Sequence, residues 1–85
     1  MTYRVGITAS AQSELEKLDP PIQRRLRAAM TALAENPRPP GAIMLRGERE
    51  HWRIRVGDWR IIYTIEDNRL LVIVLHLGHR REIYR

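Results

Sequence analysis

The 85-residue sequence has no cysteine, a single lysine and no long apolar run. Without cysteine, no disulfide can hold the fold together. Residues 1–6 lack the apolar segment of a signal peptide, and no run approaches the roughly twenty apolar residues of a membrane-spanning helix. We therefore expect a cytoplasmic protein, without a membrane partner, whose fold depends on its core.

The length and composition predict a single folded domain over residues 1–85. A chain this short buries only about 60–65% of its unfolded surface, so it does not support two cores. The residues are 44% hydrophobic and 29% charged, as in a packed globule rather than a disordered segment. We therefore expect no second domain.

The basic residues are nearly all arginines. The chain has 15 Lys and Arg against 10 Asp and Glu, and Lys17 is the only lysine. A guanidinium binds phosphate through two donors and stacks on bases, so this excess favours a nucleic acid or an acidic protein as partner. A GC-rich genome, which favours arginine codons, would give the same composition. The positions of the arginines have to distinguish the two explanations.

The first half of the chain predicts a strand followed by a helical hairpin. Residues 3–7 alternate as a short strand, and Thr8 or Ser10 can cap the helix that follows. The second helix begins at Asp19, which two prolines follow, and the proline-rich residues 37–41 form the connection after it. The apolar positions at helical spacing are Ala11, Leu15 and Leu18 in the first helix and Ile22, Leu26, Met30 and Leu33 in the second.

From Ile43 onward the apolar spacing changes to the period of two that is typical of strands. Residues 51–56 and 59–65 alternate on either side of a Gly-Asp turn. Residues 70–77 are almost continuously apolar, which predicts a central strand buried on both faces and ended by Gly78. The sequence thus predicts an α+β fold of order β-α-α-β-β-β. The helical hairpin covers one face of a small, mainly antiparallel sheet, with three or four strands in the meander after the helices.

A two-residue turn fixes the pairing of the strands and places Arg55 directly opposite Arg60. The other pairs build a core face, and they are Val56 with Trp59, Ile54 with Ile61 and Trp52 with Tyr63. Like charges across a ladder repel, so a sheet selected for stability alone would not contain the arginine pair. With Arg53 two positions along the same face, three guanidiniums predict a phosphate-binding site. The alternative is an outer face whose charges diverge into water.

The chain ends with His-Arg-Arg-Glu-Ile-Tyr-Arg at residues 79–85. If the strand of residues 70–77 pairs with the strand of Arg60, this tail brings a cation, an imidazole and a phenol to the rim of the basic face. A frayed basic terminus is the alternative for such a charge run.

The layout of these motifs resembles the RelE/ParE superfamily of toxins over essentially the whole chain. The most specific elements are Gly-Asp-Trp-Arg-Ile-Ile-Tyr at residues 57–63 and Gly-His-Arg-Arg-Glu-Ile-Tyr at residues 78–84. They are similar to RelE-like members, the mRNA interferases of type II toxin–antitoxin systems. ParE-like members share the fold, inhibit DNA gyrase and generally lack the terminal Arg and Tyr pairing.

The RelE-like resemblance implies an endoribonuclease toxin that needs no metal or cofactor and cleaves mRNA in the ribosomal A site. It also implies a RelB-like antitoxin in a heteromeric complex that binds operator DNA mainly through the antitoxin. In the implied reaction the RNA 2′-hydroxyl attacks the phosphodiester, leaving a cyclic phosphate and a free 5′-hydroxyl. This chemistry requires a proton acceptor, positive charge on the phosphorane and a proton donor.

The resemblance also implies roles for individual residues. Arg60 and Arg80 would clamp the scissile phosphate, while Tyr84 would stack on the base or exchange a proton. The residues implied to take part in catalysis are Arg55, Arg60, His79, Arg80 and Tyr84, and those implied to bind RNA are Arg46, Arg53 and Arg81.

The sequence departs from the family pattern at the residues expected to supply the proton acceptor. Arg53 and Arg55 stand where many relatives have lysines, and a guanidinium stays protonated in proteins, so Arg55 cannot act as the base. His79, His51 and Tyr84 remain, and a histidine titrates near the working pH. His79 is preferred because some branches of the family have a histidine beside the terminal arginine. The alternatives are a mispaired strand and a histidine satisfied by a backbone carbonyl.

Two other functions stay open from the sequence. One is a ParE-like inhibitor of DNA gyrase on the same fold. The other is a toxin homologue that has lost its activity and only binds its antitoxin or DNA, which the missing lysines keep open. Trp52, Trp59 and Tyr63 are expected in the core, and His76 is expected at the sheet or its rim without a function.

Overall fold

The computed structural model describes residues 2–47 and 50–79, which form two helices and five strands. The elements are β1 (Arg4–Ile7), α1 (Ala9–Glu16), α2 (Pro20–Glu35), β2 (Ile43–Leu45), β3 (His51–Val56), β4 (Trp59–Glu66) and β5 (Leu71–His79). A single 3-10 turn, Asp67–Arg69, connects β4 and β5. The predicted α+β class and the helical hairpin are confirmed.

The strands form one mixed sheet in the order β1-β5-β4-β3-β2. Strands β2 to β5 make an antiparallel meander of four strands. β1 pairs with β5 in parallel, with Arg4 opposite Leu71. This parallel pairing was not predicted, because it depends on two segments far apart in the chain rather than on any local pattern.

Strand β5 differs from the prediction in two ways. It does not end at Gly78 but continues to His79. It is also not buried on both faces: Val72 and Val74 are fully buried, whereas Ile73 between them is only partly buried. The expected burial on both sides was wrong because the helical hairpin covers one face of the sheet in the described part of the chain.

Local sequence signals explain where the helices begin. The side chain of Thr8 accepts a hydrogen bond from the amide of Ala11 at 3.1 Å and so caps α1. Pro20 and Pro21 occupy the first turn of α2, where a missing N–H costs nothing. Asp19 lies at the capping position, but its side chain makes no capping hydrogen bond.

The core lies between the helical hairpin and one face of the sheet. Its buried residues are Ala11, Leu15, Leu26, Met30, Leu33, Ile54, Ile61, Tyr63, Val72, Val74 and Leu77. Trp52 and Trp59 pack against them from the margin, so the predicted core position of the aromatic residues is confirmed. Neither described helix has the length and apolar character needed to cross a bilayer.

Candidate nucleic-acid interface

Arg53, Arg55 and Arg60 lie on the face of the sheet away from the helices. The register places Arg55 opposite Arg60 and Arg53 opposite Ile62, as the two-residue turn predicted. Since Ile54 packs in the core, alternation along β3 directs its two arginines to the other side. The structure thus brings these three predicted residues together, and we call this surface the arginine face.

The three arginines differ in exposure. Arg55 is exposed, whereas Arg60 and Arg53 keep 3% and 8% of their surface accessible. The Nη1 of Arg60 donates to the carbonyl of Trp59 at 3.3 Å, and neither buried arginine is without a partner. A buried guanidinium is tolerated only when neighbouring groups compensate its charge. Arg53 and Arg60 are therefore held in place by their buried surroundings. Arg55 is the most accessible of the three to a ligand.

The turn between β3 and β4 explains why Arg55 and Arg60 face each other. Gly57 has a φ of +63° and Asp58 has no positive φ, which matches a type II′ turn with glycine in first place. A Cβ at Gly57 would lie 2.8 Å from Nη2 of Arg25 on α2. Glycine is needed here for its conformation, and a Cβ would in addition require the exposed end of the Arg25 side chain to shift. This turn fixes the register of the arginine face.

His79, the preferred proton acceptor, lies on the other side of the sheet. It pairs with Trp59 across β4 and β5, and the two rings make an edge-to-face contact at 5.6 Å. Trp59 packs against the core, so His79 stands on the helix side. The structure therefore does not bring His79 together with Arg55 and Arg60.

Two other histidines lie on the side of the arginine face. His51 lies two positions before Arg53 on β3, so both side chains point to the same face. His76 on β5 pairs with Ile62, the residue that pairs with Arg53 on its other flank. The register thus favours His51 and His76 over His79 as groups able to serve the arginines.

His76 has a carboxylate beside it. Its Nδ1 lies 3.8 Å from Oε1 of Glu14 on α1, and its side chain is 62% exposed. The same carboxylate oxygen accepts a hydrogen bond from the amide of Leu77 at 3.5 Å, which places it at the edge of β5 beyond the end of β1. Since Gly78 pairs with Arg60, His76 is the diagonal neighbour of Arg60, a relation that spans about 7–8 Å. Sequence reasoning missed this pair because Glu14 and His76 are distant in the chain.

The remaining predicted site residues are only partly located. Arg46 directly follows β2 and is exposed. Arg80, Arg81 and Tyr84 lie outside the described residues, so their roles stay predictions. Within residues 2–47 and 50–79, no three His, Asp or Glu side chains come close enough to hold a metal ion.

A second cluster, also missed from the sequence, anchors the proline-rich connection. The Arg38 guanidinium donates to both carboxylate oxygens of Asp67 at 3.1 and 2.9 Å, and the Tyr3 hydroxyl donates to the same carboxylate at 2.6 Å. Arg38 also lies 5.1 Å from the ring centre of Trp52. We call this cluster of Tyr3, Arg38, Trp52 and Asp67 the Asp67 clasp. It ties the connection to the turn after β4.

Asp67 in the clasp and the nearby Tyr63 both have shifted pKa values. Hydrogen bonds from Arg38 and then Tyr3 lower the pKa of Asp67 to about 2. Burial raises the pKa of Tyr63 to about 12, and its hydroxyl donates to the carbonyl of Pro37 at 2.6 Å. Asp67 therefore stays charged and Tyr63 stays neutral around neutral pH, which suits a structural role better than proton transfer.

Known proteins are similar to this chain in sequence and architecture. Residues 5–84 match the family model described as ParE toxin of type II toxin–antitoxin system, parDE. The chain is 33% identical over 86 residues to the toxin RelG of Mycobacterium tuberculosis, covering 100% of this chain and 99% of that protein. It is 30% identical over 84 residues to the toxin RelE of the same organism, covering 98% and 87%. The archaeal RelE–RelB complex from Pyrococcus horikoshii superposes with a TM-score of 0.83 at 30% identity, covering 94% of this chain and 97% of that one.

The chain belongs to the RelE/ParE family and is a toxin of a type II toxin–antitoxin system. The resemblance expected from the sequence is therefore confirmed, as is the fold, since two helices on a five-stranded mixed sheet match the solved relatives.

Proposed function

We propose that this toxin is an endoribonuclease that cleaves mRNA in the ribosomal A site. The observation that carries the proposal is the pair of like charges at Arg55 and Arg60, held directly opposite each other on the face that the core does not use. Such a pair opposes stability and concentrates positive charge where a phosphodiester can bind. The relatives named RelG and RelE support the RelE side of the family, whose resemblance implied this activity.

In this mechanism the arginines bind and neutralise the scissile phosphate. Arg55 makes the first contact because it is exposed, and Arg60 with Arg80 stabilises the added negative charge of the phosphorane. Arg60 is 3% exposed, so the groups above it have to move aside as RNA enters. The residues that hold the RNA backbone are Arg46, Arg53 and Arg81, and Tyr84 stacks on the base or supplies a proton.

The bond changes need no metal. The 2′-oxygen bonds to phosphorus, the bond from phosphorus to the 5′-oxygen breaks, and the products are a cyclic phosphate and a 5′-hydroxyl. A base takes the 2′-hydroxyl proton, and an acid protonates the leaving 5′-oxygen.

We assign the base to His76 instead of His79. His76 is exposed, lies diagonal to Arg60 and has Glu14 beside its Nδ1, which favours the tautomer whose Nε2 accepts a proton. His51 lies four positions from Arg55 along β3, about 13 Å away at roughly 3.3 Å per residue. His79 is separated from the arginines by the sheet itself.

Arg55→Ala is the sharpest test of the phosphate site, because Arg55 is exposed and its loss leaves the core intact. Wild-type protein should arrest growth on expression and produce new RNA 5′-ends within translated messages, and the variant should do neither. Arg24→Ala, which removes an exposed arginine of α2, is the matched control and should keep full toxicity. Equal toxicity of Arg55→Ala and wild type would remove the arginine face from the mechanism.

The proton acceptor is tested by comparing two histidine variants. His76→Ala should slow cleavage of ribosome-bound message by about 10²–10⁴-fold, the usual contribution of a general base. His79→Ala should leave the rate unchanged if the variant is folded. The reverse pattern would return the role to His79.

Inhibition of DNA gyrase is the second candidate function. The matching family model, whose description names the ParE toxin, favours it. On this candidate, expression causes DNA breaks while messages stay intact, and the purified toxin blocks supercoiling by gyrase. An inactive homologue, the third possibility, would cause no growth arrest at all.

We also propose that a RelB-like antitoxin holds this toxin in a heteromeric complex in the resting cell. The P. horikoshii relative was solved as a RelE–RelB complex, which supports this state. The net charge of +5 favours an acidic partner. Operator DNA is bound mainly through the antitoxin, while the ribosome and mRNA are the cytoplasmic targets of the released toxin. Co-purification with the antitoxin encoded beside this gene tests the partnership.

A further inference from the structure

Two neighbouring apolar side chains of β2 are exposed. Ile43 keeps 47% of its surface accessible and Met44 keeps 50%, and no other large apolar residue in the described part of the chain is this exposed. Successive residues of a strand point to opposite faces, so the two side chains leave β2 on opposite sides of the sheet. A single exposed apolar side chain is ordinary on a protein surface. The surroundings of each one therefore decide whether it has a function.

Ile43 lies on the arginine face, in one row with the proposed base. It pairs with Arg53 of β3, which pairs in turn with Ile62 of β4. Ile62 pairs with His76 of β5. Residues that pair across an antiparallel ladder share a face, so the row runs from Ile43 to His76. Its ends are three strand spacings apart, which is about 14 Å for neighbouring strands. Both end residues are exposed, whereas the two residues between them are buried.

The arginine pair lies between the two ends of this row. Arg55 follows Arg53 by two residues on β3, so Arg55 and Arg60 form the next row on the same face. Strands β3 and β4, which carry the pair, lie between β2 and β5 in the sheet. A phosphate held by the two guanidiniums therefore has His76 on one side and Ile43 on the other.

The position of the proposed base determines the direction of the RNA across the sheet. In phosphoryl transfer the attacking and leaving oxygens lie roughly in line, on opposite sides of the phosphorus. The attacking 2′-oxygen, which belongs to the nucleotide on the 5′ side, has to lie toward His76 on β5. The leaving 5′-oxygen then points toward β3 and β2. The nucleotide on the 3′ side of the cleaved bond, which carries this oxygen, is thus directed toward Ile43.

We propose that Ile43 packs against the base of the nucleotide on the 3′ side of the cleaved bond and holds this nucleotide in position. A base presents a flat face with little polarity, and nucleic-acid-binding proteins place isoleucine or leucine side chains against bases. The arginines beside Ile43 bind the phosphates of the same RNA segment. Ile43 and its neighbours therefore match the two parts of a nucleotide.

This inference rests on the proposed function and on His76 as the base. It deepens the proposal, because it adds a residue that contacts the substrate and assigns the direction in which the RNA crosses the sheet. The 5′ side lies over β5 and the 3′ side lies over β2.

Met44 provides a matched control for Ile43. The two residues are neighbours on the same strand and are almost equally exposed. Met44 pairs with Trp52, which packs against the core, so its side chain points to the helix side. Loss of the Met44 side chain therefore removes as much exposed apolar surface from β2 without changing the arginine face.

The test combines removal of the side chain with removal of the base. Ribosomes with a vacant A site are programmed with an intact message or with one that lacks the base on the 3′ side of the cut, and single-turnover cleavage is measured. Wild type should cleave the abasic message about tenfold more slowly, the lower end of what a lost apolar contact costs in a pocket. Ile43→Ser should cleave the intact message more slowly by the same factor and lose nothing further on the abasic one. Met44→Ser should behave like wild type on both.

A message that lacks the base on the 5′ side tests the direction, and on it Ile43→Ser and wild type should be slowed by equal factors. Urea denaturation confirms that both variants are folded, and the abasic effect on wild type does not depend on any variant. Equal slowing of Ile43→Ser and wild type by the 3′ abasic position would overturn the inference, as would coupling of Ile43 to the 5′ position. Both results would leave the proposed function standing. If wild type failed to cleave the intact message, the proposed function would be overturned, and this inference with it.

Discussion

The two faces of the sheet are made by the same strands but differ in composition: one packs apolar side chains in the core, and the other carries facing arginines. On the helix side, Ile61 and Tyr63 of β4 are fully buried in the core. On the other side, the same strand presents Arg60 opposite Arg55, an arrangement that packing does not require. Successive residues of a strand point to opposite faces, so one side can change while the other is kept. The comparison teaches that, under the proposed function, stability and activity are separated residue by residue along β3 and β4.

The largest effect is expected from a change on the helix side. Leu26 is fully buried in the core, and Leu26→Ala should lower the free energy of unfolding by about 2–5 kcal/mol through lost burial and a new cavity. Urea denaturation measures this change. Toxicity should fall no further than the folded fraction does, and a variant that stays folded yet loses toxicity would blur the division between the faces.

The second largest effect is expected at the turn between β3 and β4. Gly57→Ala forces alanine into a left-handed conformation, which costs about 1–2 kcal/mol, and the new Cβ also meets the Arg25 guanidinium. The double variant Arg25→Ala with Gly57→Ala removes the collision but keeps the conformational cost. Urea midpoints should therefore rank wild type first, the double variant second and Gly57→Ala last. If the double variant were no more stable than Gly57→Ala, contact with Arg25 would not contribute.

On the arginine face, a change should separate activity from stability. Arg55→Ala removes a like-charge repulsion across the ladder, so the free energy of unfolding should stay level or rise by less than about 1 kcal/mol. Toxicity should nevertheless be lost. Thermal unfolding followed beside growth assays measures both. A variant that is clearly less stable than wild type would show that Arg55 supports the fold, against the comparison.

The smallest effect is expected at the Asp67 clasp, where the side chains of Arg38 and Asp67 are 43% and 56% exposed to solvent. Arg38 and Tyr3 lower the pKa of Asp67 from 3.8 to about 2, so the unfolded chain takes up this proton first as the pH falls. The contribution of Asp67 to stability is therefore complete above about pH 4 and is lost toward about pH 2. The difference in urea midpoint between wild type and Asp67→Asn should shrink over this range. A constant difference would remove the carboxylate charge as its cause.

Features set by local spacing were predictable from the sequence. The register of β3 and β4 followed from the two-residue turn, and the buried stripe of α2 followed from helical periodicity. In each pattern the residues that set it lie within a few positions of one another in the chain. They were sufficient to place Arg55 opposite Arg60 from the sequence alone.

Features that join distant segments were not predictable in this way. Neither the Glu14 contact with His76 nor the bond between Arg38 and Asp67 leaves a local pattern. The position of His79 was missed for a related reason. The expected strand end at Gly78 would have released the tail, but β5 continues, and alternation carries His79 to the helix side.

The parallel docking of β1 on β5 also leads to an expectation about the order of folding. These two strands come from opposite ends of the described chain, and contacts of such separation form slowly. The β3–β4 hairpin needs only its turn, and hairpins form within about 1–10 μs. We expect the β3–β4 hairpin, with its facing arginines, to form early in refolding. It should become rigid only when β5 pairs with β4 on one side and β1 on the other.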